Sequence, residues 1–451
     1  MMMNQLQDKY ILILGLARSG EAAARLLIKH GANVVVNEYK PKEELNNVEA
    51  LEALGVTFVT GGHPPHLLEQ NPAFIVKNPG IRYDNPIVFG AIQQNIPVVT
   101  EVELAGEILK GTLIAITGSN GKTTTTKLIE EMIAADDKRA FLAGNIGLPA
   151  CEVAEKVQED DYMVTEVSSF QLKGTINFKP EVAVLLNIFD AHLDYHGTKD
   201  DYVDSKANVT AFQDATDVLV YNEDDPTVKE IANRSKAKAL PFSLQSTLSN
   251  GVSLDENKKV IQVDGEPIIA IDKIVLPGMH NLENILAAIA VATTCNINKE
   301  AIAHVLMSFS GVEHRLQFVK ELNGRRVYND SKATNILATD KALRAFNEPI
   351  VLIAGGLDRG NEFDELVSSL TSVKALMTYG ETKEKLKRAG QTAGVQSIGL
   401  HETIEEAVEQ AYEISDEGDV ILLSPACASW DQFKTFEERG EAFLKAVEAI
   451  Q

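Results

Sequence analysis

Two spacings of apolar residues alternate along this chain. Short, wholly apolar runs occur at 10–14, 113–116, 182–186, 350–354 and 420–423. Between them lie longer stretches in which apolar residues recur every three or four positions. A continuous apolar run bounded by Gly, Asn or Ser reads as a strand covered on both faces, and helical spacing in between implies parallel α/β layers. The first segment predicts a strand at 10–14, a turn at 15–20, a helix at 21–30 and a strand at 34–36 that closes at Glu38. Further short strands follow at 57–59, 74–77 and 97–99. The middle segment predicts a strand at 113–116, a glycine loop, and a helix at 127–134. Strands at 140–142, 162–167, 182–186 and 218–220, a helix at 200–212, a hairpin over 258–269 turning at Asp264-Gly265, and an apolar helix at 281–294 complete it. The last segment opens with a hairpin, 316–321 and 325–329, across Asn323-Gly324. Alternating strands and helices then lead to a final amphipathic helix. The expected architecture is α/β in three domains: a Rossmann-like domain at 1–100, a central P-loop ATPase-type domain at 101–311, and a C-terminal Rossmann-like domain at 312–451. No internal repeat or low-complexity segment interrupts them.

Length agrees, since 451 residues correspond to roughly three domains. A hydrophobic content of 45% and a charged content of 24% are ordinary for globular cores. No apolar run approaches the ~18 residues of a membrane span, and the polar start of the chain predicts no signal peptide. Cys151, Cys295 and Cys427 stand far apart in apolar surroundings, as packing cysteines of a cytoplasmic protein do. The formal net charge of −23 argues against a nucleic-acid or anionic-membrane surface. A phosphate ligand must therefore be held by a local pocket rather than by the global field.

Such a pocket is written at 116–126, ITGSNGKTTTT. A strand feeds a loop of Gly118, Ser119, Asn120, Gly121, Lys122, Thr123 and Thr124, and a helix follows. Backbone N–H groups and the helix N-terminus face phosphate oxygens, Lys122 adds positive charge, and a threonine hydroxyl is placed to ligate Mg²⁺. The usual loop has four residues between its glycines; here there are two, Ser119 and Asn120. Glu166 ends a buried strand, where a P-loop domain places a carboxylate for the metal. His192 and His196 stand four residues apart, but the loop character of their surroundings predicts no helix to make them a zinc pair. In the first segment Glu38 lies where a dinucleotide fold puts its ribose-binding acid, yet Ala17 replaces the middle glycine of that fingerprint. A dehydrogenase therefore stays open on that segment alone. Two polar clusters, at 330–335 and 424–429, follow strands of the last segment.

With these residues in view, the chain is similar to the Mur ligase family over essentially its whole length. The phosphate loop is shared with folylpolyglutamate synthases. The more specific likeness lies in 328–335 (YNDSKATN) and 424–434 (SPACASWDQFK), which resemble the members that add D-glutamate. The resemblance implies ATP-dependent amide synthesis in cytoplasmic peptidoglycan precursor assembly, by a protein expected to be a monomer. ATP, with Mg²⁺, would phosphorylate the terminal carboxylate of UDP-N-acetylmuramoyl-L-alanine, and the amine of D-glutamate would then attack the acyl phosphate. Holding both reactants in line could contribute on the order of 7–11 kcal/mol, a reason to use domains that close.

Position by position, the resemblance makes Lys122, His192 and Lys206 the catalytic set. Thr123, Glu166 and His192 would hold Mg²⁺, joined by Lys206 as a carbamate. Asn281, Asn284, Arg315 and Asp330 would contact the adenine and ribose of ATP. Ser19, Asn78, Gly80, Asn145 and His192 would face the UDP substrate. Lys332, Thr334, Ser429 and Phe436 would hold D-glutamate. Two departures stand out. Arg359 occupies the place of a lysine, and an arginine binds a carboxylate bidentately. Trp430 occupies the place of an aliphatic residue and is expected to reshape the glutamate pocket. Against this reading stand a folylpolyglutamate-type ligase, a P-loop switch protein that makes no product, and the dehydrogenase. None of the three accounts for the clusters at 328–335 and 424–434.

Overall fold

The computed structural model describes residue 3 and residues 6–189, 191–255 and 257–450, with backbone only at residue 280. The chain forms three α/β domains, each built on its own sheet. It separates into two compact units: residues 1–271 with 283–305, and residues 272–282 with 306–451.

The first unit carries two of the sheets. Strands β1 (Tyr10–Leu14), β2 (Asn33–Glu38), β3 (Thr57–Thr60), β4 (Ile75–Lys77) and β5 (Val98–Val99) are all parallel, in the order β3-β2-β1-β4-β5. Ile11 and Ile13 of β1 enter one apolar cluster, while Leu12 and Leu14 enter another. A strand packed on both faces has no polar side, which is why it reads as an unbroken apolar run. The strand order reverses between β1 and β4, and the loops leaving these two strands border the crevice where open parallel sheets bind ligands.

The second sheet comprises β6 (Thr112–Thr117), β7 (Ala140–Gly144), β8 (Tyr162–Glu166), β9 (Val182–Leu185), β10 (Val218–Asn222), β11 (Lys238–Ser243), β12 (Val252–Asp255), β13 (Val260–Val263) and β14 (Glu266–Ala270). Its order is β14-β13-β12-β11-β10-β9-β6-β8-β7, parallel from β7 to β12 and antiparallel beyond. The turn between β13 and β14 has positive φ at both Asp264 (52°) and Gly265 (84°), the geometry expected of an Asp-Gly hairpin.

Several sequence-based boundaries shift. The helix after the phosphate loop starts at Lys122, not at 127, because the threonines of its first turn are buried and continue the helix. The helix predicted over 200–212 is Lys199–Ala207 followed by one 3₁₀ turn, Asn208–Thr210. One helical turn, Leu193–His196, occurs where a loop was expected. The helix expected at 281–294 is Met279–Thr294, so Asn281 lies inside its first turn.

In the second unit the strands are β15 (Gln317–Leu322), β16 (Arg325–Asn329), β17 (Ile350–Gly355), β18 (Val373–Tyr379), β19 (Ser397–Leu400) and β20 (Val420–Leu423). The sheet order is β15-β16-β20-β17-β18-β19, with only the first pair antiparallel. Here too both faces are covered: Leu352 and Ala354 enter one cluster, Val351 and Ile353 the other. Asn329, Leu423 and Ile353 stand in register, so the loops leaving β16, β20 and β17 emerge side by side.

Candidate active site

The phosphate loop joins β6 to the helix Lys122–Ala134. Gly118 (φ 156°) and Gly121 (φ 86°) adopt backbone conformations that L side chains rarely take. A Cβ on Gly121 would lie 2.0 Å from Asn284 Oδ1, so the loop packs against that asparagine with no room to spare. The shortened loop is held from the next strand. Asn187, just beyond β9, accepts from Ser119 N through its carbonyl and from Asn120 N through Oδ1, both at 2.8 Å. The hydroxyls of Ser119 and Tyr202 lie 2.9 Å apart.

Lys122 Nζ donates to the carbonyls of Gly118 (2.9 Å) and Ser119 (3.2 Å). Lys206, only 2% exposed, donates to the same Gly118 oxygen at 2.8 Å and lies 4.8 Å above the Tyr202 ring. Burial, reinforced by the neighbouring Lys122 charge, holds the Lys206 amine well below the ordinary lysine range. The sequence showed only a helix lysine; the fold makes it a buried amine at the phosphate loop. At the end of the adjacent β8, buried Glu166 accepts from Thr123 Oγ1 (2.8 Å) and Asn145 Nδ2 (2.7 Å). A threonine hydroxyl and a carboxylate side by side form a hard oxygen donor pair of the kind Mg²⁺ takes.

His192 is exposed, with a left-handed backbone (φ 56°) and its ring edge-on to Phe170 at 4.9 Å. Burial of part of its ring, together with the Lys206 charge, lowers its pKa. His196 has a different duty: its ring nitrogens face Ser169 Oγ at 3.0 Å and Asp201 Oδ2 at 2.7 Å. The two histidines therefore do not share a ligand position.

At the first sheet, Gly15 allows the β1 loop to approach the β4 loop: a Cβ there would lie 2.9 Å from Asn78 Cβ. Asn78 Oδ1 accepts from Gly80 N at 3.0 Å, and Ser19 sits in the first turn of the helix Arg18–Lys29. Glu38 accepts from Leu16 N (2.8 Å) and Tyr39 N (2.9 Å), so both its carboxylate oxygens are used to shape the loop itself. Sequence reasoning missed Lys77 here. It is 1% exposed and donates to the carbonyls of Pro79 (3.2 Å) and Ile81 (2.9 Å) and to Tyr195 Oη (3.1 Å). Burial, with Lys173 nearby, brings its pKa down to about 7. Its position directly before Asn78 was the available signal.

Asn284 belongs to the first unit, where its Oδ1 also faces Thr125 Oγ1 at 3.4 Å. Asn281, Arg315 and Asp330 belong to the second. Asn281 donates to Pro277 O at 2.7 Å. Asp330 is buried and accepts from Leu316 N (3.1 Å) and Ser424 Oγ (2.9 Å). Burial raises its pKa to about 7. Near the ends of β16 and β20, Lys332 Nζ lies 5.4 Å from the Phe436 ring centroid, Ser429 is buried, and Thr334 is part-buried. The two departures from the expected pattern meet: the Arg359 guanidinium stands 4.9 Å over the exposed Trp430 ring.

Three domain families match in order: Mur ligase MurD-like N-terminal domain at 9–100, Mur ligase middle domain at 116–292, and Mur ligase glutamate ligase domain at 314–427. The UDP-N-acetylmuramoylalanine--D-glutamate ligase of Geobacillus kaustophilus is 55% identical over 99% of this chain and 98% of its own. The protein of the same name from Halalkalibacterium halodurans is 53% identical, covering 99% of both chains. The chain belongs to the Mur ligase family. It is a ligase of that family, and its fold agrees with solved Mur ligases. Thermotoga maritima UDP-N-acetylmuramate-alanine ligase MurC shares 18% identity with a TM-score of 0.58, covering 98% of this chain and all of that one. MurF ligase from the same organism, solved in complex with ADP, gives a TM-score of 0.56 at 16% identity, covering 99% and 96%. Among the described residues of this Mur ligase, no helix is long and apolar enough to cross a membrane.

Proposed function

We propose that this Mur ligase joins D-glutamate to the alanyl carboxylate of UDP-N-acetylmuramoyl-L-alanine at the expense of ATP, as a cytoplasmic monomer in peptidoglycan precursor synthesis. The observation that carries the substrate assignment is the full-length likeness, at 52–55% identity, to relatives bearing that activity in their names. The proposed domain limits are 1–100 for the UDP substrate, 101–311 for ATP and 312–451 for the amino acid.

The reaction needs two displacements. A carboxylate oxygen attacks the γ-phosphorus, the bond to ADP breaks, and ADP leaves. The amine of D-glutamate then attacks the acyl carbon, a C–N bond forms, phosphate departs with the former carboxylate oxygen, and the amine gives up a proton. The loop amides of Gly118 to Thr124 and the Lys122 ammonium hold the phosphates and draw off the charge that accumulates on the moving phosphoryl group. The oxygen donors of Thr123 and Glu166 suit Mg²⁺ and would hold it together with His192 and Lys206 as a carbamate; the ion would supply charge neutralisation to the phosphates. Depressed basicity favours the carbamate, because only the neutral amine of Lys206 attacks CO₂. Asn281, Asn284, Arg315 and Asp330 are assigned to the nucleoside of ATP. Ser19, Asn78, Gly80, Asn145 and His192 are assigned to the UDP substrate, and Lys332, Thr334, Arg359, Ser429, Trp430 and Phe436 to D-glutamate.

The test is ADP release with ATP and each substrate alone, then with both, comparing D- with L-glutamate. Release that requires both substrates and the D-isomer is expected. Turnover without the nucleotide-sugar substrate, or equal use of L-glutamate, would overturn the assignment.

A further inference from the structure

Arg439 lies in the helix Phe436–Ala449 and is the largest fully buried side chain among the described residues. Its guanidinium reaches all three loops that leave the adjacent strands β16, β20 and β17. Nε donates to Ser331 Oγ at 3.0 Å and Nη2 to Ser331 O at 2.7 Å, in the loop after β16. Nη1 donates to Cys427 O at 3.0 Å, after β20, and reaches Gly355 O, at the end of β17, at 3.5 Å. Ser331 Oγ passes the connection on, donating to Phe436 O at 2.7 Å.

Every acceptor in this set is a carbonyl or a hydroxyl. These acceptors are neutral dipoles, and the carboxyl that feels the Arg439 charge is that of buried Asp330, at the start of the loop after β16. A buried cation is costly unless its donors are satisfied, and a planar fork satisfies three loops at once where the point charge of a lysine does not. The packing around it is close: a Cβ on Gly356 (φ 144°) would lie 2.3 Å from Ala428 O and 3.2 Å from Arg439 Nη1. Each anchored residue stands beside a residue assigned to D-glutamate: Ser331 before Lys332, Cys427 two before Ser429, Gly355 four before Arg359.

We infer that Arg439 is the positioning residue of the amino-acid pocket: it fixes the relative placement of the three loops that carry the residues assigned to D-glutamate. This rests on the D-glutamate reading of the site. Arg439 touches no substrate; it acts through the loops.

The acyl phosphate can be trapped by hydroxylamine with only ATP and the UDP substrate present, which separates phosphoryl transfer from amino-acid capture. In Arg439→Lys the KM for D-glutamate is expected to rise about tenfold or more, while the KM for ATP and the rate of hydroxamate formation stay within about twofold of wild type. Arg439→Met should show a larger rise. Ser331→Ala removes one acceptor and leaves the helix intact, so it should give a smaller rise of the same kind, and it decides the matter if the Arg439 variants do not fold. An unchanged KM for D-glutamate in Arg439→Lys or Ser331→Ala, or hydroxamate formation falling in proportion, would overturn the inference. A wild-type enzyme that forms hydroxamate but ignores D-glutamate would overturn the substrate reading instead, and the same KM comparison is then made with the amino acid it accepts.

Discussion

The ammonium groups of Lys122 and Lys206 converge on one atom, the carbonyl oxygen of Gly118, at 2.9 and 2.8 Å. Burial lowers the basicity of Lys206, and the neighbouring Lys122 charge lowers it further. The same loop thus holds two lysines of which the buried one, Lys206, has its basicity lowered.

Loss of that amine should be severe. Lys206→Ala is expected to lower kcat about a hundredfold or more, the scale of removing one preorganised group at a developing charge. Millimolar acetate should restore part of the activity if a carboxylate-bearing group is what the site needs. Steady-state ADP release with and without acetate checks both statements; wild-type kcat in Lys206→Ala would remove the residue from the site.

Gly121→Ala places a methyl group 2.0 Å from Asn284 Oδ1 at a backbone φ of 86°. Strain and displacement together should cost roughly 1–3 kcal/mol of stability and raise the KM for ATP. Thermal unfolding and ATP titration measure these separately. A variant with wild-type KM would show that the close packing of Asn284 is irrelevant to nucleotide binding.

The stacked pair Arg359 and Trp430 should act as one unit. Trp430→Ala removes a cation–π contact worth about 0.5–1 kcal/mol at an exposed site, so the KM for D-glutamate should rise about two- to fivefold. Arg359→Ala should cost more, and the double variant no more than Arg359→Ala alone. Additive effects would mean that the two side chains serve different parts of the substrate.

Glu101 provides a pH signature. It is fully buried, accepts from Cys151 N, and burial raises its pKa to about 7 from the ordinary 4.5. Its folded-state pKa lies above the unfolded one, so its contribution to stability is fully present below pH 4.5 and is lost as pH rises through 7. Between pH 4.5 and pH 8 Glu101→Gln should therefore lose less stability than wild type, by up to about 3 kcal/mol, the remaining slope coming from groups such as Asp330. An identical pH slope in both proteins would show that Glu101 does not carry the effect.

How much of this was legible in the sequence follows from what each feature depends on. The strands packed on both faces, such as β17 and β20, announce themselves as apolar runs, and the hairpin turns at Asp264-Gly265 and Asn323-Gly324 need only local backbone chemistry. The phosphate loop is equally local. Helix ends were misjudged where polar residues are buried, since Thr123 to Thr126 lie inside the helix although they look like loop residues. Lys77, Lys206 and Arg439 are basic residues that composition assigns to the surface. Their burial is created by strands and helices far apart in the chain, and no spacing rule encodes it.

In the proposed reaction a carboxylate takes the γ-phosphoryl group of ATP and an amine then displaces phosphate from the acyl carbon. The decisive experiment supplies UDP-N-acetylmuramoyl-L-alanine carrying ¹⁸O in both carboxylate oxygens, together with ATP, Mg²⁺ and D-glutamate. Each inorganic phosphate released should carry one of the labelled oxygens. Phosphate free of the label, with amide still formed, would contradict it.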